Sequence, residues 1–406
     1  MRISTMRQAD RWLGAPVCAI LTVWRRVADL VRRTPPAKVR RILFVKLVEQ
    51  GATVLAWPAI RKAADKVGPE NVFFMVFQEN RFIVDALGLI PQGNVLAIRT
   101  RGILGTVFSA IGALWRARRA RVDAAIDMEF FARSSAALCY LSGAPVRVGL
   151  HPTGSEAAWR GDLLTHRLSY NPHLHTSQTF EILVDALDAP ADRLPALDLA
   201  PPPITNFLPE FAARPEEVEE VRGILRQAVR RDELPPIILL NSNTSDLLPI
   251  RRWPGERYVE LAQRLLEKYP DVCIAFTGAP DEAEAVAPLV GRIGSGRCIS
   301  LAGKTTLRQL LILYQFAEVL VTNDSGPAHF AALTPIDTVV LFGPETPALF
   351  GAPSPRTHIL YAGIVCSPCV SAYNGRQSRC RDNVCMQRLT VDQVFAEVCR
   401  VYDSRP

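Results

Sequence analysis

A chain of 406 residues, 49% of them hydrophobic, is too long for one ordinary core and points to two globular domains, not to a disordered molecule. Nine cysteines are few for this length, and five stand singly at Cys18, Cys139, Cys273, Cys298 and Cys399, which argues against a secreted disulfide scaffold and for a reducing, cytoplasmic setting. The net charge of +7 is concentrated at one end: residues 1–41 carry ten Arg or Lys against Asp10 and Asp29, a balance of +8, so the remainder is −1 and lacks the basic body expected of a nucleic-acid binder.

Residues 1–38 read as a basic amphipathic segment. Trp12, Leu13, Val17, Ile20, Leu21, Trp24, Val27, Leu30 and Val31 recur at helical spacing, and Arg25, Arg26, Arg32 and Arg33 gather toward the C-terminal end. That pattern suits a helix lying on an anionic inner-membrane face, which makes the protein peripheral. It also suits a helix packed on its own protein. The longest apolar run, Ala15 to Val23, contains Pro16 and Thr22 and falls well short of the ~20 residues of a spanning helix.

After the linker 34–38 a strand and helix alternation begins. Strands are predicted at Ile42–Val45, Val72–Val76, Val95–Ile98 and Ala124–Ile126, with helices at Thr53–Ala64, Arg81–Leu87, Ile103–Arg116 and Arg133–Leu141. This defines a first Rossmann-like domain over 39–200. The proline-rich stretch 194–236 with a charged helical pattern at 216–233 reads as a connection, assigned to 201–235. A second alternation fills 236–390, with strands at Ile237–Leu240, Val272–Thr277, Cys298–Leu301, Val319–Val321 and Thr338–Phe342, and helices at Arg257–Lys268, Asp281–Val290 and Leu307–Phe316. Residues 391–406 close the chain as a helix. Such alternation means βαβ units and parallel sheets. The stretch LAGKTT (301–306) is not a phosphate-binding Walker loop, because the required upstream glycine is Cys298.

The segment VLVTNDSGPAHFAAL (319–333) places Asp324, Ser325, Gly326 and His329 where an apolar strand hands over to an apolar helix. In an open parallel sheet such a loop lies at the carboxyl end of the strand, where ligands bind, and the following helix start favours an anion. Phosphate is the expected ligand; the alternative is a capped helix with His329 as a packing residue. Farther on, Cys366, Cys369, Cys380 and Cys385 give C-x2-C-x10-C-x4-C, a spacing that suits a structural zinc or a redox-sensitive structural loop.

The second half resembles glycosyltransferase family 9, the heptosyltransferase-like enzymes of lipopolysaccharide assembly. The resemblance is carried by IRRWPGERYVELAQRL (250–265), FTGAPDEAEA (276–285), residues 301–333, VVLFGPETP (339–347) and CMQRLTVDQV (385–394). It implies an α/β chain of GT-B fold, two doubly wound Rossmann-like domains facing a central cleft, the first taking the acceptor and the second the nucleotide-sugar donor. By that resemblance Ser325, Gly326 and His329 hold the donor diphosphate, Asp324 meets the sugar hydroxyls, and Arg251 stands where the family has a lysine that stabilises the leaving group. No metal is implied for catalysis.

RILFVKLVEQGATVLAWPAI (41–60) resembles the family's opening strand and glycine loop, in which an aspartate follows the glycine as the presumed base. Here Ala52 follows Gly51, so Glu49 on the same loop is expected to take the proton, and Lys46 either meets an acidic acceptor group or is an ordinary strand-end charge. The expectation is therefore an inverting glycosyltransferase, moving heptose from ADP-heptose or a similar donor to a lipid-linked envelope glycan. Its rival is a catalytically silent nucleotide-sugar-binding scaffold, supported by Ala52.

Overall fold

The computed structural model describes residues 3–29, 38–152, 157–206, 208–244 and 248–405. Leu30, Val31, Arg32, Arg33 and linker residues 34–37, all singled out above, lie outside the described residues. Chain contacts divide the protein into two units, Met1–Ile204 with Ser371–Arg376, and Thr205–Val370 with Gln377–Pro406.

In the first unit, apolar runs that can be buried on both faces become β1 (Ile42–Val45), β2 (Val72–Phe77), β3 (Val95–Ile98) and β4 (Ala124–Asp127), and the more polar β5 (Val146–Leu150) and β6 (His166–Leu168) extend the sheet. The sheet order is β3-β2-β1-β4-β5-β6 and every pair is parallel; Ile42 lies opposite Val72 on one side and Ala124 on the other. The helices are α1 (Ile3–Asp29), α2 (Gln50–Leu55), α3 (Trp57–Val67), α4 (Arg81–Ala86), α5 (Gly102–Arg119), α6 (Arg133–Leu141) and α7 (Thr176–Asp185). One helix was predicted over 53–64. Two are found because Pro58 lacks the N–H that a continuous helix would use and instead suits the start of α3.

α1 answers one question the sequence left open: one face packs on its own protein. Asp10 accepts hydrogen bonds from the Arg133 and Ser134 N–H groups (3.2 and 2.6 Å), so a side chain of α1 caps α6. Cys18 is buried with Ala136, Ala137, Tyr140 and Leu163, Thr22 Oγ1 accepts from the Asp162 N–H at 2.9 Å, and Arg25 pairs with Asp162. Gly161, at φ +67°, makes this approach feasible, since a Cβ there would lie 2.4 Å from Thr22 Oγ1.

The second unit repeats the plan with β7 (Ile237–Asn241), β8 (Cys273–Phe276), β9 (Cys298–Ser300), β10 (Val319–Asn323), β11 (Asp337–Phe342) and β12 (Thr357–Tyr361), again all parallel, in the order β12-β11-β10-β7-β8-β9. Its helices are α8 (Pro215–Val229), α9 (Gly255–Lys268), α10 (Ala283–Ile293), α11 (Leu307–Leu313), α12 (Gly326–Ala331), α13 (Pro347–Phe350), α14 (Val384–Gln387) and α15 (Val391–Asp403). The charged helix of the proline-rich connection is α8; it belongs to the second unit, where Glu217 accepts from Arg308 Nε and Nη2 at 2.6 and 2.7 Å. The core of this unit gathers Ile238, Trp253, Tyr258, Phe276, Val321 and Leu341.

Candidate active site

Each sheet reverses its strand order once, between β1 and β4 in the first unit and between β7 and β10 in the second, and ligands of open α/β sheets bind at the carboxyl ends of such strands. The residues singled out in the sequence fall at these two places.

In the second unit Asp324, Ser325 and Gly326 follow β10 directly, and Ser325 is the N-cap of α12 with its Oγ donating to the Asn323 carbonyl (3.2 Å). α12 is only six residues long, and His329 is buried in its last turn. Arg251 ends a short 3-10 turn after β7. Its Nη1 lies 3.7 Å from Asp324 Oδ2 and 3.2 Å from Glu345 Oε2, with both carboxylates buried. The turn is held from both sides: Asn383 Nδ2 donates to the carbonyls of Ile250 and Arg252 (3.0 and 2.7 Å). The Trp253 N–H donates to Asn323 Oδ1 at 2.9 Å, while Asn323 Nδ2 donates to the carbonyls of Ser242 and Asn243. A single asparagine at the end of β10 thus ties together all three segments around the switch point.

Four buried polar atoms at this point have no hydrogen-bond partner among the described residues: Ser242 Oγ, Asn243 Nδ2, Thr244 Oγ1 and Arg251 Nε. Leaving such groups unpaired costs roughly 1–3 kcal/mol each, so a run of them marks a place built for a polar ligand. Donors and hydroxyls beside an arginine suit phosphate oxygens. Sequence reasoning passed over residues 242–244, although a run of Asn, Ser and Thr straight after the apolar IILL was a readable signal. Glu345 lies in the VVLFGPETP stretch that carries the family resemblance, but nothing local singled it out, since it meets Arg251 across 94 positions of chain.

In the first unit Glu49 is the residue before α2 and has φ 68°, ψ 78°. The left-handed conformation costs a non-glycine residue roughly 1–2 kcal/mol, and it falls on Glu49, not on Gly51 two residues on, which is buried in the first turn of α2 together with Ala52. Glu49 Oε1 is 2.7 Å from Arg376 Nη1 and Oε2 is 3.5 Å from Lys46 Nζ. Lys46 is fully buried; its ammonium donates to the Val48 carbonyl (2.8 Å) and to Glu129 Oε2 (3.2 Å), so it serves this loop and does not reach outward to an acceptor. Glu129, which follows β4, also accepts from the Leu47 and Val48 N–H groups at 2.7 and 2.9 Å. Burial pushes its carboxyl above the usual range, with Lys46 opposing.

The segment Ser371–Arg376, inside the cysteine-bearing loop, belongs to the first unit. There Tyr373 stacks on Phe131 with ring centroids 5.9 Å apart and donates its hydroxyl to the Tyr170 carbonyl at 2.8 Å. The zinc expectation fares differently. Cys366 and Cys380 are exposed, Cys369 is half-buried beside Ser378, and Cys385 is buried. Among the described residues no three His, Cys, Asp or Glu side chains gather into a group that could hold a metal, so the donor set does not fit the tetrahedral site its spacing suggested. The Cys385 thiol is pushed up by burial, with Cys369, Cys380 and Cys366 adding to it, so the four share a neighbourhood without converging. What the loop does provide is support: the N–H groups of Cys369 and Val370 both donate to the Pro344 carbonyl, next to Glu345.

Two doubly wound parallel sheets with these switch-point loops define a GT-B protein. Residues 111–378 match the model of glycosyltransferase family 9 (heptosyltransferase), and the chain belongs to that family. Lipopolysaccharide heptosyltransferase 2 of Salmonella typhimurium is 38% identical over 102 residues, 24% of this chain and 29% of that protein. Lipooligosaccharide heptosyltransferase 2 of Campylobacter jejuni is 30% identical over 157 residues, 36% and 46% of the two chains. The matched stretches thus span less than half the length of these relatives. Among solved structures, E. coli ADP-heptose lipopolysaccharide heptosyltransferase II has a TM-score of 0.67 at 19% identity, covering 89% of this chain and 98% of that one. A family 9 glycosyl transferase of Veillonella parvula gives 0.67 at 17%, covering 90% and 98%. These likenesses establish the fold.

Proposed function

We propose that this chain is an inverting glycosyltransferase that moves a heptosyl group from ADP-heptose to a lipid-linked lipopolysaccharide-type acceptor at the cytoplasmic face of the inner membrane, with no metal in the reaction. The observation that carries the reading is the set of unpartnered buried polar atoms on Ser242, Asn243, Thr244 and Arg251 beside the Asp324-Ser325-Gly326 turn, in a family 9 chain. The donor sugar and nucleotide follow the relatives, whose names specify heptosyl transfer and, in one case, ADP-heptose.

In this reading the acceptor hydroxyl attacks the anomeric carbon as the bond to the diphosphate breaks, and Glu49 takes the hydroxyl proton. To do so the hydroxyl must reach a carboxylate whose Oε1 is engaged by Arg376, so Arg376 acts as the group that holds Glu49 in its left-handed conformation until acceptor arrives. The departing ADP carries the charge that develops, and Arg251 with the Ser242 and Thr244 hydroxyls and the Asn243 amide meets it. Fixed donors aimed at developing charge are the effect that a divalent ion supplies elsewhere.

Calorimetric titration with ADP, UDP, GDP and CMP tests the donor site. ADP is expected to bind selectively, and Thr244→Ala or His329→Ala to weaken it at least fivefold, the loss of about 1 kcal/mol for one hydrogen bond. Binding of none of the four nucleotides would contradict the reading.

A further inference from the structure

An ordinary amphipathic helix turns its large apolar residues to the core. Two helices of the first unit do the reverse. α1 packs through Asp10, Gly14, Cys18 and Thr22, and turns Trp12, Leu13, Ile20, Val23, Trp24 and Val27 outward. α5 packs through Ala113 and Ala117, and turns Ile103, Leu104, Val107, Phe108, Ile111 and Trp115 outward. These outward side chains, with Val17, are 43% to 75% exposed. Isolated exposed apolar residues are commonplace, but two whole helix faces are not.

The two faces meet. A cleft of about 290 Å³ is lined by Ile20, Leu21 and Trp24 of α1, Arg118 at the end of α5, and Tyr140 and Leu141 of α6. The rim is cationic: from Arg99 to Arg121 the chain has six arginines and no carboxylate, and Arg11 and Arg26 of α1 are exposed as well. Arg119 lies over the Trp115 ring, 5.5 Å from its centroid, an arrangement suited to the boundary between headgroups and acyl chains. No helix among the described residues is long and apolar enough to cross a membrane.

We propose that α1 and α5 together form one docking surface for a bilayer containing anionic phospholipid, lying flat on it with both apolar faces inserted and the arginines among the headgroups. The proposal rests on the membrane reading above and deepens it by naming the surface and the lipid chemistry. Charge decides between occupants. A second copy of the chain would bring one arginine-rich rim against another, whereas anionic headgroups neutralise both rims.

The test is sedimentation of the full chain with phosphatidylcholine vesicles, with and without phosphatidylglycerol, for the wild type, a Leu104→Asp/Phe108→Asp variant and an Ile20→Asp/Trp24→Asp variant. Binding is expected with phosphatidylglycerol and at least tenfold weaker without it. Each double variant should lose at least tenfold in partitioning with an unchanged melting temperature, because the altered side chains are exposed. Undiminished binding by the Leu104→Asp/Phe108→Asp variant overturns the role of α5. A wild type that ignores vesicles but elutes as a dimer, converted to monomer by the same variant, overturns the lipid assignment in favour of self-association. Heptosyl transfer to a delipidated, soluble acceptor separates the two levels: transfer without vesicle binding sinks only this inference, and vesicle binding without transfer sinks only the catalytic reading.

Discussion

In the proposed reaction Glu49 and Arg251 are the two central residues, and each carries a cost the fold tolerates: a left-handed backbone at Glu49, and a buried Arg251 Nε with no partner among the described residues. Arg251 was singled out by the resemblance and Glu49 because Ala52 stands where the family has an aspartate; that they meet Glu345 and Arg376 was not legible, because both contacts join residues far apart in sequence. A different residue pair makes a prediction about pH. His151 is held down to about 4 from an ordinary value near 6.5, by burial first and then by Arg167 and Arg160, and His166 is lowered by burial as well. As pH falls from about 6.5 toward 4, the unfolded chain takes up protons that these folded histidines refuse, so stability drops through that window. Buried Asp127 and Glu129, whose carboxyls are pushed up, act in the opposite direction, so the comparison between variants isolates the histidine. His151→Gln should lose less melting temperature than the wild type between pH 7 and pH 4.5; identical slopes would count against this account.

At the scale of elements, α1 shows why composition alone left two readings open. Large apolar residues and small or polar ones alternate around the same helix, and only packing reveals that the small face, with Asp10, Cys18 and Thr22, is the one that docks. Pro16 stands inside this helix without ending it. α5 was predicted only as a helix over Ile103–Arg116, and nothing in a run such as GILGTVFSAIGALW says that its alanines face inward. The short strands β5, β6 and β12 were not predicted, since three to five residues with Arg or His among them carry too little apolar signal. The docking of α1 is open to test. Gly161→Ala would place a methyl group against Thr22 Oγ1 and the Cys18 carbonyl at a backbone angle alanine avoids, and Asp10→Ala would remove the cap on α6 at a cost of about 1 kcal/mol. Both should speed amide exchange in α1 and α6 while leaving β1 and β4 protected, with the larger effect at Gly161. Unchanged exchange in α1 would mean that these contacts do not hold it.

At the scale of the whole molecule, the alternation of strands and helices made two parallel α/β units readable from the sequence, and the boundary between them falls at Ile204, close to the proline-rich stretch. Strand order was not readable, yet it explains why the candidate-site loops lie where they do: β1 and β7 begin their units and sit next to the strand at which each sheet reverses. The cysteines of the C-x2-C-x10-C-x4-C run do not gather into one donor group among the described residues for a related reason, because spacing constrains separation along the chain and not convergence in space. The account as a whole stands on group transfer, and one measurement addresses it: the rate of heptosyl transfer from ADP-heptose to truncated lipopolysaccharide acceptors by the wild type and by Glu49→Gln, with ADP affinity measured on the same samples. The account predicts transfer by the wild type, a fall of at least about a hundredfold in Glu49→Gln, as for loss of a general base, and equal ADP affinity in both. Undiminished transfer by Glu49→Gln, or none by a wild type that binds ADP, would contradict it.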